Sequence, residues 1–411
     1  MTDDLGLFAD TDARADEERP RSGKAKAAAA ARARRAKQKR KMTVLWVVAA
    51  VIVGVGGFGA YYGYQTLAGI GDYADFPGPG ETEVIVEVKD GDLVTSIGET
   101  LKENGVVASA RAFVEAGADD ARVTGIQPGF YLMKTKMSGT EAVTQMVAEG
   151  TRVPALDIKG GDILHDITLP GGQVRKGIFS MLSDASCTGD GEAKTCVPVD
   201  EIRDQAENAD PTALGVPDWA LPDVQRAPKE HRLEGLIVRA AYQVKPGASA
   251  VDLLRGLITA SAVKLQSYGF PSGTNGTGFS PYQVLIIASL IEKEGIEKDF
   301  GRIGRVIYNR LAEPQVLGLD STVNYQLEKP ELTTSDSDRE NDSPYNTYVV
   351  RGLTPTPIGT PSDKAIEAAV KPPPGPEMYF VKCQKDGTSC FNVDFEAHDA
   401  ASAKAQAEGV F

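Results

Sequence analysis

Histidine and cysteine are scarce in this chain of 411 residues, which contains three histidines and four cysteines. A histidine-based metal site or catalytic triad is therefore not expected from His165, His231 and His398. The His-Glu-x-x-His, Gly-x-Ser-x-Gly and Walker motifs are also missing. We accordingly expect no cofactor and no metal, and any catalysis must rely on other side chains.

Charge is absent from residues 42–60, a stretch long enough to cross a bilayer as one helix. A dense run of arginine and lysine lies just before it, at 32–41, and positive flanks stay in the cytoplasm. We therefore predict a disordered cytoplasmic tail at 1–41, a single transmembrane helix at 42–64, and an extracytoplasmic remainder anchored to the cell membrane. A cleaved signal peptide is the alternative, which the long apolar run and its distance from the N-terminus disfavour.

The predicted extracytoplasmic part has no excess of basic over acidic residues. The whole chain has a net charge of −13, although basic residues outnumber acidic ones in residues 1–41. The remainder is strongly acidic, and nucleic-acid binding needs a basic face. We expect no nucleic-acid partner and interpret the basic run as a topology signal that also contacts anionic lipids.

The four cysteines form two close pairs in the sequence, Cys187 with Cys196 and Cys383 with Cys390. Neither pair has the spacing of a zinc site. Outside the cytoplasm, such pairs are typical of disulfides. We predict two local disulfides, with four free thiols as the alternative.

The pattern of apolar residues and turns predicts an α+β protein of several parts. These are a linker at 65–82, small strand–helix modules at 83–182, an irregular connecting region at 183–232, and one compact domain at 233–411. Apolar positions in 86–101 recur at the same spacing in 167–182, which favours a duplicated strand–turn–helix unit over a chance match.

A strongly apolar helix is predicted from Ser280, a good N-cap followed by Pro281, to a stop at Gly295. Residues 284–291 are apolar on nearly every side, so this helix is expected to be buried. Glu292 follows directly. Partial burial and the negative end of the helix dipole favour its protonated form, which a general acid requires. The alternative is that residues 292–294 form the solvated end of a core helix.

Blocks of residues between 233 and 398 have an order and spacing that are specific to one family. The blocks are 233–235, 287–294, 306–311, 319–325, 343–348, 352–358, 379–381 and 396–398. On these blocks, residues 233–398 resemble the catalytic domain of the endolytic murein transglycosylases, the MltG or YceG-like family. Residues 82–182 are similar, more loosely, to the LysM-like modules of that family.

The resemblance implies a membrane-anchored lytic transglycosylase that cuts nascent peptidoglycan strands, ends their elongation, and works beside penicillin-binding cell-wall synthases. It gives Glu292 the role of catalytic acid and base. The implied substrate-binding residues are Asp320, Tyr325, Tyr345, Asn346, Thr347 and Tyr348. The alternative function is a non-catalytic glycan-binding scaffold that recruits the synthases.

Two departures from the family pattern affect the expected edge of the site. Residues 237–241 replace a run that usually holds an aromatic residue, proline, aspartate and threonine, and Ser389 stands where the family often has a histidine. These changes leave the assignment of Glu292 in place.

Overall fold

A computed structural model of the chain describes Gly57 and residues 73–169, 171–189, 191–313, 315–327 and 335–410. The predicted tail and, apart from Gly57, the predicted transmembrane helix lie outside these ranges. Among the described residues, no helix combines the length and apolarity that a membrane crossing requires. The chain divides into Met1–Tyr73 and Ala74–Phe411, and every element below belongs to the second unit.

The described residues of this unit form both helices and short strands, which confirms the predicted α+β class. The helices are α1 Val94–Glu103, α2 Ala110–Ala116, α3 Gly139–Met146, α4 Ile178–Ala185, α5 Val199–Asn208, α6 Leu221–Arg226, α7 Ala250–Ser267, α8 Pro281–Glu294, α9 Phe300–Ala312, α10 Asp320–Asn324, α11 Asp336–Arg339, α12 Asp363–Val370 and α13 Phe395–Ala407. The strands are β1 Glu83–Val88, β2 Gly129–Lys134, β3 Leu156–Ile158, β4 Ile167–Thr168, β5 Val174–Arg175, β6 Ala240–Tyr242, β7 Tyr379–Lys382 and β8 Ser389–Asn392.

The sheets of the described residues are two-stranded and antiparallel, pairing β1 with β2, β3 with β6, β4 with β5, and β7 with β8. Successive side chains of β1 point to opposite faces of the sheet, so Val86 and Val88 are buried and Glu87 between them is exposed. The β3–β6 pair is the important one for the site, because it joins Ile158 to Ala240 across a long stretch of sequence.

Two separate hydrophobic clusters form the core. The first takes its buried members from the range 86–146, among them Leu101, Phe113 and Met133. The second begins at Leu156 and runs to Ala369, and it includes the apolar side chains of α8. The pairing of β3 with β6 carries the segment around β3 into the larger cluster, and the predicted domain boundaries stay predictions.

The predicted repeat has different surroundings in its two copies. In the first, β1 is followed by a turn and α1, and it pairs with the distant β2. In the second, β4 forms a two-residue hairpin with β5 before α4 begins. A shared spacing of apolar residues thus leads to two local structures, and the LysM-like assignment stays a prediction.

Helix α8 lies at the centre of the larger cluster and agrees with its predicted bounds. The Ser280 side chain accepts from the Gln283 amide, and the Gln283 side chain accepts from the Ser280 amide, which makes a capping box. Every residue from Val284 to Ile291 is buried. The helix ends at Glu294, directly before Gly295.

Both predicted disulfides are present in the structure. Cys187 is bonded to Cys196, and Cys383 is bonded to Cys390 at the end of the β7–β8 hairpin. No cysteine remains as a free thiol.

Candidate active site

The Glu292 carboxyl, at the end of α8, is fixed through one oxygen. Its Oε2 accepts hydrogen bonds from the Ser362 amide at 2.9 Å and from the Ser362 hydroxyl at 2.5 Å. Ser362 is the N-cap of α12. The other oxygen, Oε1, makes no hydrogen bond within the described residues and is not sealed from solvent. One carboxyl oxygen is therefore anchored, and the other is available to a ligand.

The N-terminus of α12 meets the Glu292 carboxyl, because Ser362 both caps this helix and donates to Oε2. The partner of this carboxyl therefore comes from an element 70 residues away in sequence.

A loop of four residues, Lys159–Asp162, here called the glycine loop, faces the other side of the Glu292 carboxyl. A Cβ added at Gly160 would lie 2.0 Å from Glu292 Oε1, so a side chain there would force the carboxyl to move. The loop follows β3 directly. It therefore belongs to the active-site region, although the sequence placed it among the small N-terminal modules.

Lys293 and Glu294, which follow Glu292, also have specific partners. The Lys293 ammonium donates to the Gly161 carbonyl at 2.7 Å, and burial lowers its pKa. The Glu294 carboxyl accepts from the amide and the hydroxyl of Ser321, near the start of α10, and burial raises its pKa. The alternative interpretation of a solvated helix end is therefore wrong for these two side chains.

Glu234 forms a buried network that the sequence did not predict. Its side chain is fully buried, and its Oε2 accepts from the Leu164 amide at 3.2 Å and from the Tyr325 hydroxyl at 3.0 Å. Its Oε1 has no hydrogen-bond partner in the described part of the chain. Burial raises the pKa of Glu234 to about 7. The Tyr325 hydroxyl also lies 2.8 Å from Nδ1 of His231, and burial lowers the pKa of this histidine.

The structure separates the six implied substrate-binding residues into two groups. Asp320 and Tyr348 lie together and are partly exposed, with the Tyr348 hydroxyl donating to Asp320 at 2.7 Å. Arg339 makes an ion pair with Asp320 at 3.1 Å. These two residues therefore present polar atoms near solvent, and their contact with substrate stays a prediction.

The other group is enclosed. Tyr345 is buried and its hydroxyl lies 2.8 Å from that of Thr356, while its ring packs against His231 and Tyr325. The side chains of Asn346 and Thr347 are also buried and bond to neighbouring loops. These residues support the shape of the site in this structure.

The two departures from the family pattern have structural roles here. Residues 237–241 run into β6, and the Arg239 amide donates to the Pro361 carbonyl beside Ser362. Ser389 is buried at the start of β8, where its amide donates to Asp299 at 2.7 Å. Ser389 thus contributes to hairpin packing.

A cavity among the described residues lies away from Glu292. It has a volume of about 660 Å³ and lies between the outer face of the β1–β2 sheet, at Ile85 and Leu132, and the end of α4, at Met181 and Ala185. None of the candidate active-site residues described in this subsection lines it. Within the described ranges, no three His, Cys, Asp or Glu side chains are grouped in a way that would hold a metal ion.

A family model described as the YceG-like family matches residues 86–404 of the chain. The chain belongs to the YceG-like family. The family match spans both hydrophobic clusters and includes the glycine loop, Glu234 and Glu292, and it confirms the resemblance found in the sequence.

Curated relatives carry a functional name. The chain is 28% identical over 326 residues to the "Endolytic murein transglycosylase" of Bacillus subtilis, covering 79% of this chain and 85% of the relative. It is 28% identical over 352 residues to the protein of the same name from Streptococcus pneumoniae, covering 83% of this chain and 61% of the relative. A crystal structure of a yceG-like protein from Listeria monocytogenes aligns with a TM-score of 0.49 and 26% identity, over 78% of this chain and 99% of that one.

Proposed function

We propose that this protein is a membrane-anchored endolytic lytic transglycosylase. It cuts the bond between N-acetylmuramic acid and N-acetylglucosamine in nascent peptidoglycan and so ends strand elongation, beside penicillin-binding synthases. The names of the curated relatives support the substrate class. The observation that carries the proposal is the Glu292 carboxyl, with one oxygen anchored by Ser362 and the other open.

The number of available carboxyls favours a lyase over a hydrolase. Ordinary glycosidases use two carboxylates, about 5–5.5 Å apart in retaining enzymes and about 6.5–9.5 Å apart in inverting ones. Here Glu294 is bound to Ser321, Glu234 is sealed in the core, and Asp320 is paired with Arg339. Glu292 is the carboxyl of this group that lies against the glycine loop, and one carboxyl suffices if the sugar supplies its own nucleophile.

Glu292 acts twice in the proposed reaction. As an acid, it protonates the glycosidic oxygen as the bond to the anomeric carbon of N-acetylmuramic acid breaks. As a carboxylate, it then takes the proton from the 6-hydroxyl of the same sugar while that oxygen attacks the anomeric carbon. The products are a 1,6-anhydromuramic end and a free 4-hydroxyl, and no water is consumed.

The other predicted residues have supporting parts in this proposal. Asp320 and Tyr348 contact the glycan from the exposed edge. Tyr325, Tyr345, Asn346 and Thr347 hold the loops that shape the site, through the buried contacts described above. The membrane anchor keeps the site near newly made strands.

The test is digestion of purified peptidoglycan in ¹⁸O-labelled water, with mass spectrometry of the chain ends. The wild-type protein should give anhydro ends that lack both the label and the mass of water. Glu292→Gln should lower the rate by about 10²–10⁴-fold, because the amide cannot exchange the proton. Glu297→Gln, at an exposed carboxyl just after α8, is the matched control and should cleave normally.

Three outcomes would contradict the proposal. Labelled, reducible ends would make the protein a hydrolase. Full activity of Glu292→Gln with an inactive, folded Glu294→Gln would mean that the wrong carboxyl was chosen. If the wild type bound glycan without cleaving it, the alternative function of a non-catalytic glycan-binding scaffold would be favoured.

A further inference from the structure

The glycine loop is fixed to the site by contacts with several elements. The Gly161 amide donates to the Thr360 carbonyl, and the Thr360 amide donates to the Asp162 carbonyl, at 2.8 and 2.7 Å. Asp162 closes the loop by accepting from the Lys159 amide, and its other oxygen accepts from Arg175 in β5. The loop backbone is therefore tied to the segment that also carries Ser362.

Lys293 adds a contact that comes from α8 itself. Its ammonium reaches the Gly161 carbonyl across 132 residues of sequence. The alkyl chain passes close to Gly359, where an added Cβ would lie 2.8 Å from Lys293 Cε. The absence of a side chain at Gly359 thus provides room for this lysine.

Burying an ammonium is unfavourable unless other groups compensate. The charged groups that face Lys293 are Glu234, Asp162, Arg175 and the neighbouring Glu292. An apolar residue would pack here without that cost. The presence of a lysine therefore indicates that its hydrogen bond to the loop matters.

We propose that Lys293 is a positioning residue and that Gly160 determines the placement of the Glu292 carboxyl. Lys293 holds the glycine loop against Glu292, and bare backbone at Gly160 lets Oε1 take its place while Oε2 stays on Ser362. The catalytic consequence of this inference rests on the proposed transglycosylase function. The role of Lys293 in holding the loop does not depend on that function.

The first measurement is hydrogen exchange followed by mass spectrometry on the full-length protein. Lys293→Met keeps the length of the side chain but removes the donor, so peptides covering 159–162 and 359–362 should exchange at least several-fold faster. Lys298→Met is the matched control, because Lys298 is exposed and paired with Asp386 on the surface. Unchanged exchange in both variants would overturn the holding role, whether or not the protein cleaves glycan.

The second measurement separates kcat from KM on soluble, uncrosslinked glycan strands. Gly160→Ala should lower kcat by about 10²-fold, since a misplacement of about 1 Å at a reacting group costs that much, and KM should stay within about twofold. Gly256→Ala in α7 is the control, because nothing lies within 4 Å of an added Cβ there. A wild-type kcat in Gly160→Ala, while Glu292→Gln is inactive, would overturn the inference and leave the proposed function intact.

Discussion

Glu292 and Glu234 have very different surroundings. Glu292 has one oxygen bound to Ser362 and one open, whereas Glu234 is fully buried and has an oxygen without a partner. Carboxyls placed in such different surroundings take different roles. In the proposed function, Glu292 exchanges a proton with substrate, and Glu234 supports the site through its hydrogen bond with Tyr325.

The raised pKa of Glu234 predicts a pH-dependent contribution to stability. Its pKa rises from 4.5 to about 7 on folding. The stabilisation from the protonated form is fully present below pH 4.5 and is lost as the pH rises through 7. Glu234→Gln, which is neutral at every pH, should remove this loss, so its stability relative to wild type should increase by about 3 kcal/mol between pH 4.5 and 8.

Urea unfolding of both proteins across that pH range measures the effect. Comparison of the variants removes the contribution of other titrating groups such as His231. Glu297→Gln, at an exposed carboxyl, should follow the wild type. Parallel curves for wild type and Glu234→Gln would show that the buried carboxyl does not titrate in this way.

Glu292 could be predicted from the sequence, and its partners could not. The helix around it has local signals, namely a cap, an apolar run and a glycine stop. Ser362 is 70 residues away and the glycine loop is more than 120 residues away, so only the fold brings them together. Glu234 lay in a recognised block, but its burial depends on Leu164 and Tyr325, which are distant in sequence.

At the scale of elements, the same contrast holds between helices and short strands. Helix α7 and helix α8 begin after serine caps, as their sequences indicate. Strands β3 and β6 have three residues each and exist because they pair with one another. Their pattern is too short to be recognised alone, and for that reason the pairing of β3 with β6 was not predicted from the sequence.

The C-terminal hairpin provides a prediction at this scale. The Cys383–Cys390 disulfide closes a loop with a sequence separation of seven residues between β7 and β8. In the chain-entropy model, removing such a link costs about 2.5 kcal/mol. Cys383→Ala with Cys390→Ala should therefore lower the free energy of unfolding by about that amount, measured in denaturant without reductant.

Reductant provides the control for the hairpin variant. Adding it to the double variant should cause only the further loss that comes from Cys187–Cys196. Adding it to wild type should cause both losses. Equal stability of wild type and the double variant without reductant would show that the hairpin is held by its packing, as in the contact of Arg302 with the Phe391 ring.

At the scale of the whole molecule, the two hydrophobic clusters share no buried residue. The family match nevertheless extends over both, from 86 to 404. The smaller cluster contains no member of the candidate active site, while β3 and the glycine loop join the larger one. Catalysis is therefore expected to depend on the larger cluster, and the smaller one can lose its packing without disturbing Glu292.

Phe113 tests this independence because it is fully buried in the smaller cluster, within α2. Truncating a buried phenylalanine costs about 3–5 kcal/mol, which is a large fraction of the stability of a small domain. Phe113→Ala should sharply lower hydrogen-exchange protection in β1, β2 and α1–α3 and leave α8 protected. Phe395→Ala, at a phenylalanine that is 63% exposed, should leave both regions protected. If α8 loses protection together with β1, the two clusters unfold as one unit, and the glycine loop cannot be treated as part of a separately stable active-site domain.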